Sequence, residues 1–517
     1  MKKIKLLTTL SGLGVIAAAI PVVSTGCNSK YDSSNYIIYK GEKVKLDGFT
    51  FTQTDINLLC TQQAVPYDPA KSDSATWSAY YINGVPYDIN YITEINIGTA
   101  SNVAIIPPNF MNGCVHLRTV NLNGIKDLTY IGDNFLDYCY LLSTLVLPTL
   151  KNLSGEDMIN LKYLTGSISQ IPEYFLYGNN QLDTIDLEPF ANIRYVPEGF
   201  MESCSNIKSL DFSSWKNVSY IGSSFLWGNE SLEKVNLPTI KQLDFSKEVL
   251  KQLGVDTSPV TTIGNYFMQH CTSVKSFDFT PFAEVNYIAD DFLGEESGEY
   301  IFNLNISTLD FSKLTKLNRI GDGFCSQIPM VKNIKLPHMV EIEDEETEDV
   351  DKPEIGQRFL RNKSVLESID LSPLENIEEL PEYFLENCIA LKTVDLTPMK
   401  ALQDVGSEEP TAETTTTVIK DGFLYMCTNL EAVYMGDILA ANVGIDPSIS
   451  SIVEEPVYDG SGNEVSHVLV KANADEEEFV PVTIVTSNND EKNNYFTKFV
   501  NSDPSTKETV SSWRELI

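Results

Sequence analysis

The chain is poor in the residues that carry most enzyme chemistry. It has four histidines, His116, His270, His338 and His467, scattered far apart, and no pair stands at zinc-ligand spacing. No GxGxxG, P-loop, HExxH or GxSxG motif occurs. Bases are scarce too: 37 Lys and Arg stand against 72 Asp and Glu, a formal charge of −35. A surface this acidic repels phosphate backbones, which argues against nucleic acid as a partner. Beyond the N-terminus no apolar run is long enough to span a bilayer. Disorder is excluded by the 42% hydrophobic content. A chain of 517 residues also exceeds one ordinary compact core.

What is present is a repeat. Phenylalanine recurs at 110, 135, 175, 200, 225, 267, 292, 324, 359, 384 and 423, with spacings of 25, 40, 25, 25, 42, 25, 32, 35, 25 and 39. Each spacing is 25 or 25 plus an insertion. With the ring as position 0, the apolar positions are 0, +4, +7, +10, +12, +15, +18 and +21. In the rung of Phe200 these are Cys204, Ile207, Leu210, Phe212, Trp215, Val218 and Ile221. A fixed period of this size marks a solenoid, in which each coil packs only on its neighbours. Only +10 and +12 alternate with period 2, so a short strand is expected there. Glycine or proline near +22 (Pro197, Gly222, Gly264, Gly321, Pro381) is expected to bend the chain into the next coil. The expected fold is mainly β: one long parallel sheet, tight turns and a few inserted helices. Eleven rungs at about 4.8 Å each give a rod of roughly 50 Å.

The pattern I/V-G/P-x-x-F-L/M-x-x-C/N-x-x-L-x-x-I-D-L resembles the BspA-like leucine-rich repeat of bacterial surface proteins, over residues 85 to 435. It runs 25 residues where that family usually has 23, and it carries long insertions. The resemblance implies a non-catalytic scaffold for protein binding, with adhesion to host matrix or neighbouring cells as the family's associated role.

The organisation reads as follows. Residues 1–26 combine Lys2, Lys3 and Lys5 with an apolar stretch from Leu6 to Ile20, which marks an export signal. Ser24-Thr25-Gly26-Cys27 resembles the bacterial lipoprotein cleavage box, departing from it at Ser24; that resemblance implies diacylation of Cys27 and anchoring on the outer face of the cell membrane. Residues 27–34 are a tether. Residues 35–84, with Trp77, Tyr80 and Tyr81, are expected to cap the open edge of the first strand. Residues 85–435 hold the eleven rungs and a degenerate first one, in which Val85 stands in for the ring. Residues 436–517 are polar, with a turn at Asp459-Gly460. They end in PVTIVTSNNDEKNNYFTKFV, similar to the family's closing strand and short helix, with Tyr495 and Phe496 covering the last rung.

Four of the five insertions, Lys151–Ser169, Lys241–Thr261, Val340–Glu354 and Gly406–Thr417, fall at one place in the coil and so should emerge along one side; the fifth, seven residues near Gly298, lies in a different part of its rung. Insertions on one face form a binding surface in many repeat proteins, or are tolerated decoration. Val340–Glu354 holds nine acids and one lysine but lacks the DxDxDG spacing of a calcium loop. Cys114, Cys139, Cys204, Cys271, Cys388 and Cys427 share position +4 with Asn179 and Asn229, which reads as a column of buried thiols. Cys114 with Cys139, and Cys388 with Cys427, fall on adjacent rungs, where stacked thiols are slightly wide for a bridge. No histidine or cation recurs beside the column to activate a nucleophile.

Positions +9 and +11 face away from the core. They pair a hydroxyl with Asp186, Asp211, Asp278, Asp310, Asp370 and Asp395, a stripe broken at Val146, Asn236 and Lys335. This stripe is either the solvated face of a sheet or the contact surface for a basic or hydroxyl-rich partner. A regular ladder of carboxylates without a singular pair does not suit glycoside hydrolysis. Three functional classes therefore stay in view. The chain is a surface-binding scaffold, a substrate-capturing lipoprotein of a transporter, or an antigenic coat protein. No cofactor, metal or small-molecule substrate is expected.

Overall fold

The computed structural model describes residues 31–66, 76–255, 261–294, 306–326, 328–343, 350–408, 417–439 and 442–443, and, beyond these, strands within 452–486. The signal segment, Cys27, Tyr495 and Phe496 lie outside the described residues.

The eleven phenylalanines form an unbroken stack through the rod. Successive ring centroids lie 5.0–6.2 Å apart, with planes within 5–22° of parallel. One buried apolar cluster continues along it from Ile37 to Val443. The columns read from the sequence are thus columns in space.

Each coil has three hydrogen-bonded sides. The strand expected around +10 and +12 is present at +9 to +11 in most rungs, but residues 276–278 and 368–370, in the rungs of Phe267 and Phe359, form none. Thr119–Asn121, Thr144–Val146 and Thr184–Asp186 pair in parallel and in register. So do Ser209–Asp211 with Lys234–Asn236, Thr308–Asp310 with Asn333–Lys335, and Thr393–Asp395 with Ala432–Gly436. A second parallel ladder runs beside the single sheet read from the sequence. It links Tyr195–Val196, Tyr220–Ile221, Thr262–Ile263, Tyr287–Ile288, Arg319–Ile320 and Glu354–Ile355. Its strands have two residues each, too few to leave a period-2 signature.

The third side is the corner at the ring. Residues −1, +1 and +3 are left-handed: around Phe225 these are Ser224, Leu226 and Gly228, at φ 55°, 57° and 71°. Their amides point alternately forward and back. Ser224 donates to Asn265 O in the next rung, Leu226 to Phe200 O in the previous one, and Gly228 to Gln269 O in the next. A left-handed non-glycine residue costs about 1–2 kcal/mol. Three inter-rung bonds and burial of the ring offset that cost.

The +22 glycines serve a purpose other than bending. A Cβ on Gly222 would lie 2.6 Å from Glu198 N and Pro197 C, and one on Gly264 would lie 2.5 Å from Ser223 N. These residues let adjacent backbones meet. Gly222→Ala is expected to cost about 1–3 kcal/mol by overpacking; equal denaturant midpoints for variant and parent would contradict the close approach.

The first edge is covered. Asn35–Tyr39 pairs antiparallel with Ile92–Ile97 and with Glu42–Lys45, and helix α1 (Gln53–Leu58), with Ile56 buried, packs by the strands Thr76–Ile82 and Ile105–Ile106. Tyr80 is fully buried there. Val85 does not replace a ring: it is 40% exposed on a hairpin strand pairing with Ile82, and the buried register begins at Ile89. At the far end Thr483–Thr486 adds in parallel to Ala432–Gly436, and Ile452–Tyr458 pairs antiparallel with Glu464–Lys471.

Helices α2 (Gly155–Thr165) and α3 (Lys247–Leu253) come from the first two insertions. Ser154 and Ser246 cap their starts, and left-handed Gly166 and Gly254 end them. The two helices pack on each other through Leu153, Met158, Leu161 and Leu253. Lys162 Nζ donates to Leu253 O at 2.7 Å, placing a cation on the C-terminal carbonyls of α3. Two insertions about ninety residues apart in sequence thus form one lobe. A fourth helix, α4 (Lys400–Gly406), precedes the last insertion and is not foreshadowed in the residue pattern. In the acidic insertion Ile342–Glu343 pairs with Val350–Asp351, and Lys352 reaches Glu341 (2.6 Å) and Glu378 (3.4 Å).

Candidate functional site

The aspartates of the strand face are turn-closers first. In every one of the six, Oδ1 accepts the main-chain N–H two residues on, at 2.9–3.1 Å: Glu188 to Asp186, Ser213 to Asp211, Thr280 to Asp278, Ser312 to Asp310, Ser372 to Asp370 and Thr397 to Asp395. Asp186, Asp211, Asp310 and Asp395 end strands, Asp278 and Asp370 lie on rungs without one, and each satisfies an amide that the turn would leave open. Asp-x-Ser/Thr, seen in five of the six segments, is the sequence signal for this role, and the strand-face reading overlooked it. Hydroxyl donation from Ser213, with its N–H, holds Asp211 below the ordinary carboxylate range, and Thr280 does the same for Asp278. Asp310 falls to about 2, through Lys335 first and Ser312 second.

The second oxygen is the part left for a partner. Asp186 uses it for the Tyr31 hydroxyl (2.5 Å) and Asp310 for Lys335 (2.7 Å). In the paired registers Asp186 faces Val146, Asp211 faces Asn236, Asp310 faces Lys335 and Asp395 faces Tyr434. None of these four registers opposes carboxylate to carboxylate. Rung-to-rung ion pairs also cross the surface, such as Lys275 with Glu233 (2.7 Å) and Lys392 with Glu367 (2.9 Å). The face is therefore acidic with interspersed cations, and exposed pairs of this kind add little stability.

The thiol column is buried. The reason cysteine and asparagine exchange at +4 is a shared hydrogen bond. The +4 side chains of Cys204, Cys271 and Asn229 donate to the carbonyl of residue +1 in the preceding rung: Cys204 Sγ to Leu176 O (3.1 Å), Cys271 Sγ to Leu226 O (3.1 Å), Asn229 Nδ2 to Met201 O (2.8 Å), while Asn179 bonds Leu176 O of its own rung (2.9 Å). Burial pushes Cys139, Cys204 and Cys271 up to about 12, so these thiols stay neutral.

One rung departs from the pattern. Position +4 after Phe359 is Lys363, fully buried, whose Nζ donates to Cys325 O (2.5 Å) and Arg361 O (2.6 Å). It makes the column's own bond with an amine. Burial lowers it to about 8. Burial raises Cys388, but the Cys427 thiol and the Lys363 charge outweigh that and bring it down. The expectation that no cation accompanies the thiols is corrected here; counting +4 from Phe359 would have found it.

Beside the strand face, the α2–α3 lobe overhangs the second ladder and encloses a cleft of about 510 Å³. Its floor is the stacked pair Tyr195–Tyr220, with centroids 4.1 Å apart; Glu173, Glu198 and Ser219 stand around it. At the tip of α2, Tyr163 and Leu164 are 90% and 79% exposed. Among the described residues no group of three or more His, Cys, Asp or Glu is placed to hold a metal, and no helix is long and apolar enough to cross a membrane.

No curated protein sequence matches the chain. Among solved structures, it is similar to a leucine-rich repeat protein from Bacteroides ovatus, at 14% identity over 72% of this chain and 93% of that one, TM-score 0.36. It is also similar to the functional domain of InlJ from Listeria monocytogenes, which includes a cysteine ladder, at 13% identity over 80% and 93%, TM-score 0.17. The repeat profile described as the BspA type leucine rich repeat region matches residues 86–162, 156–248, 239–346 and 351–440. With its stacked rings, parallel ladders and eleven coils, the chain belongs to the BspA-type leucine-rich repeat family.

Proposed function

We propose that this is a lipid-anchored protein of the outer cell surface whose repeat rod binds protein partners in adhesion to host or neighbouring cells. Leucine-rich repeats are protein-interaction scaffolds, typically without enzymatic activity, and the rod here is one. The observation that carries the reading is the strand face. Its aspartates are fixed by their own turns through one oxygen, and Asp211, Asp278, Asp370 and Asp395 are exposed. A rigid array of acidic acceptors suits a basic or hydroxyl-rich surface at low entropic cost. The anchor rests on the Ser24-Thr25-Gly26-Cys27 box.

Changing all six aspartates to asparagine tests the face cleanly, because asparagine keeps the turn-closing Oδ1; Asn121 already does this for Asn123 N at 2.9 Å. The melting temperature is expected to hold while capture of matrix and surface proteins by residues 28–517 falls at least tenfold. Capture indifferent to the changes would move the binding function to the insertions. Cys27→Ala is expected to release the chain from the membrane fraction and abolish incorporation of labelled palmitate. Retention of label in that variant would refute the anchor.

A further inference from the structure

Tyr174 is an aromatic platform built into the rung corner. It occupies position −1 at φ 54° and is 47% exposed. Its ring lies on Gly199 of the next rung, where a Cβ would stand 2.3 Å from the ring Cδ1. Its hydroxyl donates to Glu198 Oε1 at 2.5 Å. Tyr177, 55% exposed, stands at 90° to it with centroids 6.1 Å apart. Glycine beneath the ring and a carboxylate on its hydroxyl leave Tyr174 little freedom to swing.

The two tyrosines line a cleft of about 580 Å³ that reaches the chain leaving α2, within the range of ligand pockets. Its other walls carry Tyr130, Asp133, Asp137 and Glu173, and its lining includes no lysine or arginine. Near the ring, burial first and Glu198 second push the Glu202 carboxyl up. The hydroxyl-to-carboxylate bond of Tyr174 enriches the negative face of its ring. Rings set at right angles among carboxylates attract a cation through both the π faces and the charge.

We propose that this corner receives an arginine or lysine side chain of a protein partner. The inference rests on the reading of the rod as a protein-binding scaffold and gives it a second, charge-selective contact apart from the strand face. Phosphorylated or acidic ligands are opposed by the three lining carboxylates, Asp133, Asp137 and Glu173. A neutral saccharide, which also stacks on tyrosine, is the rival occupant.

The test is titration calorimetry of residues 28–517 with a nine-arginine peptide and its nine-citrulline counterpart in 0.15 M salt. Citrulline keeps the shape and loses the charge. The arginine peptide is expected to bind at least tenfold more tightly than citrulline. The double variant Tyr174→Leu, Tyr177→Leu, which leaves the net charge untouched, should weaken that binding at least tenfold. Ile389→Ala, at an exposed position on a later rung and off the strand face, should change it less than twofold. If the double variant melts early, Glu173→Gln provides the second reading, with weakening of several fold at an unchanged melting temperature. Undiminished affinity in both variants overturns the site. So does equal binding of the citrulline peptide, or Tyr174-dependent binding of a neutral oligosaccharide with none of arginine. Tyrosine-dependent arginine binding alongside an empty protein pull-down would instead count against the scaffold reading and leave the site standing.

Discussion

Phe225→Ala is expected to cost about 3–5 kcal/mol and to split the unfolding of the rod into two steps. Phe225 is fully buried. It stacks on Phe200 at 5.8 Å and Phe267 at 5.5 Å, and touches Phe212 at 5.4 Å with a tilt of 50°. No ring from another column fills the gap, because both neighbours are fixed in their own corners by left-handed residues bonded to the adjacent rungs. In a solenoid, stability is a sum of coils and nearest-neighbour interfaces. A cavity at mid-rod weakens one such interface and uncouples the coils on either side. Denaturant unfolding followed by tryptophan emission and by circular dichroism should then give separate midpoints. Coincident curves at the parent's midpoint would refute the stacked register.

Lys363→Asn is expected to stabilise the protein at pH 7 by roughly 3 kcal/mol, with the gain vanishing at high pH. Asparagine already serves the same column at Asn229, where it donates to the preceding rung. Lys363 titrates near 8 in the fold against 10.5 when exposed. Below pH 8 the amine is protonated in both states, and the folded protein bears the full cost of a buried charge. Between about 8 and 10.5 the unfolded chain holds the proton and the folded one does not, so wild-type stability rises with pH. Above 10.5 both are neutral and the difference is gone. Tyrosines such as Tyr80, raised by burial, titrate in the same alkaline region in both proteins, whereas Cys388, brought down by the Cys427 thiol and the Lys363 charge, adds to the alkaline change in the parent alone. The readout is therefore the difference in unfolding free energy across pH 7 to 11, repeated on a Cys388→Ser background. A difference that does not change with pH would mean that Lys363 is not a buried ammonium at neutral pH.

How much of the molecule could be read from residues differs from feature to feature. The ring stack and the thiol column follow from counting, because a solenoid turns sequence period directly into spatial neighbourhood. Asp211 shows the limit of that reading. Its column position was legible and its exposure correct, yet Asp-Phe-Ser is also the code for a closed turn, and only the 2.9 Å bond from Ser213 N identifies which task occupies Oδ1. Val85 failed for another reason. Its apolar side chain fits the column, but the hairpin from Thr76 to Asp88 captures it before the first full coil.

The Tyr174 corner was not legible at all. Nothing in Tyr-Phe-Leu-Tyr distinguishes it from other rungs; the platform arises because Gly199, one rung later, admits the ring and Glu198 takes its proton bond. The lobe of α2 and α3 is likewise a meeting of two insertions that sequence order keeps apart.

By itself, the sequence determined the family of fold, the rung register, the buried columns and the acidic outer stripe. Each depends on a period that one coil imposes on the next. Only the tertiary structure decided which polar groups are spent inside the scaffold and which remain for a partner. That division depends on contacts between rungs and between insertions, where a hydrogen bond of 3 Å separates a structural carboxylate from an available one, and no spacing along a single chain records it.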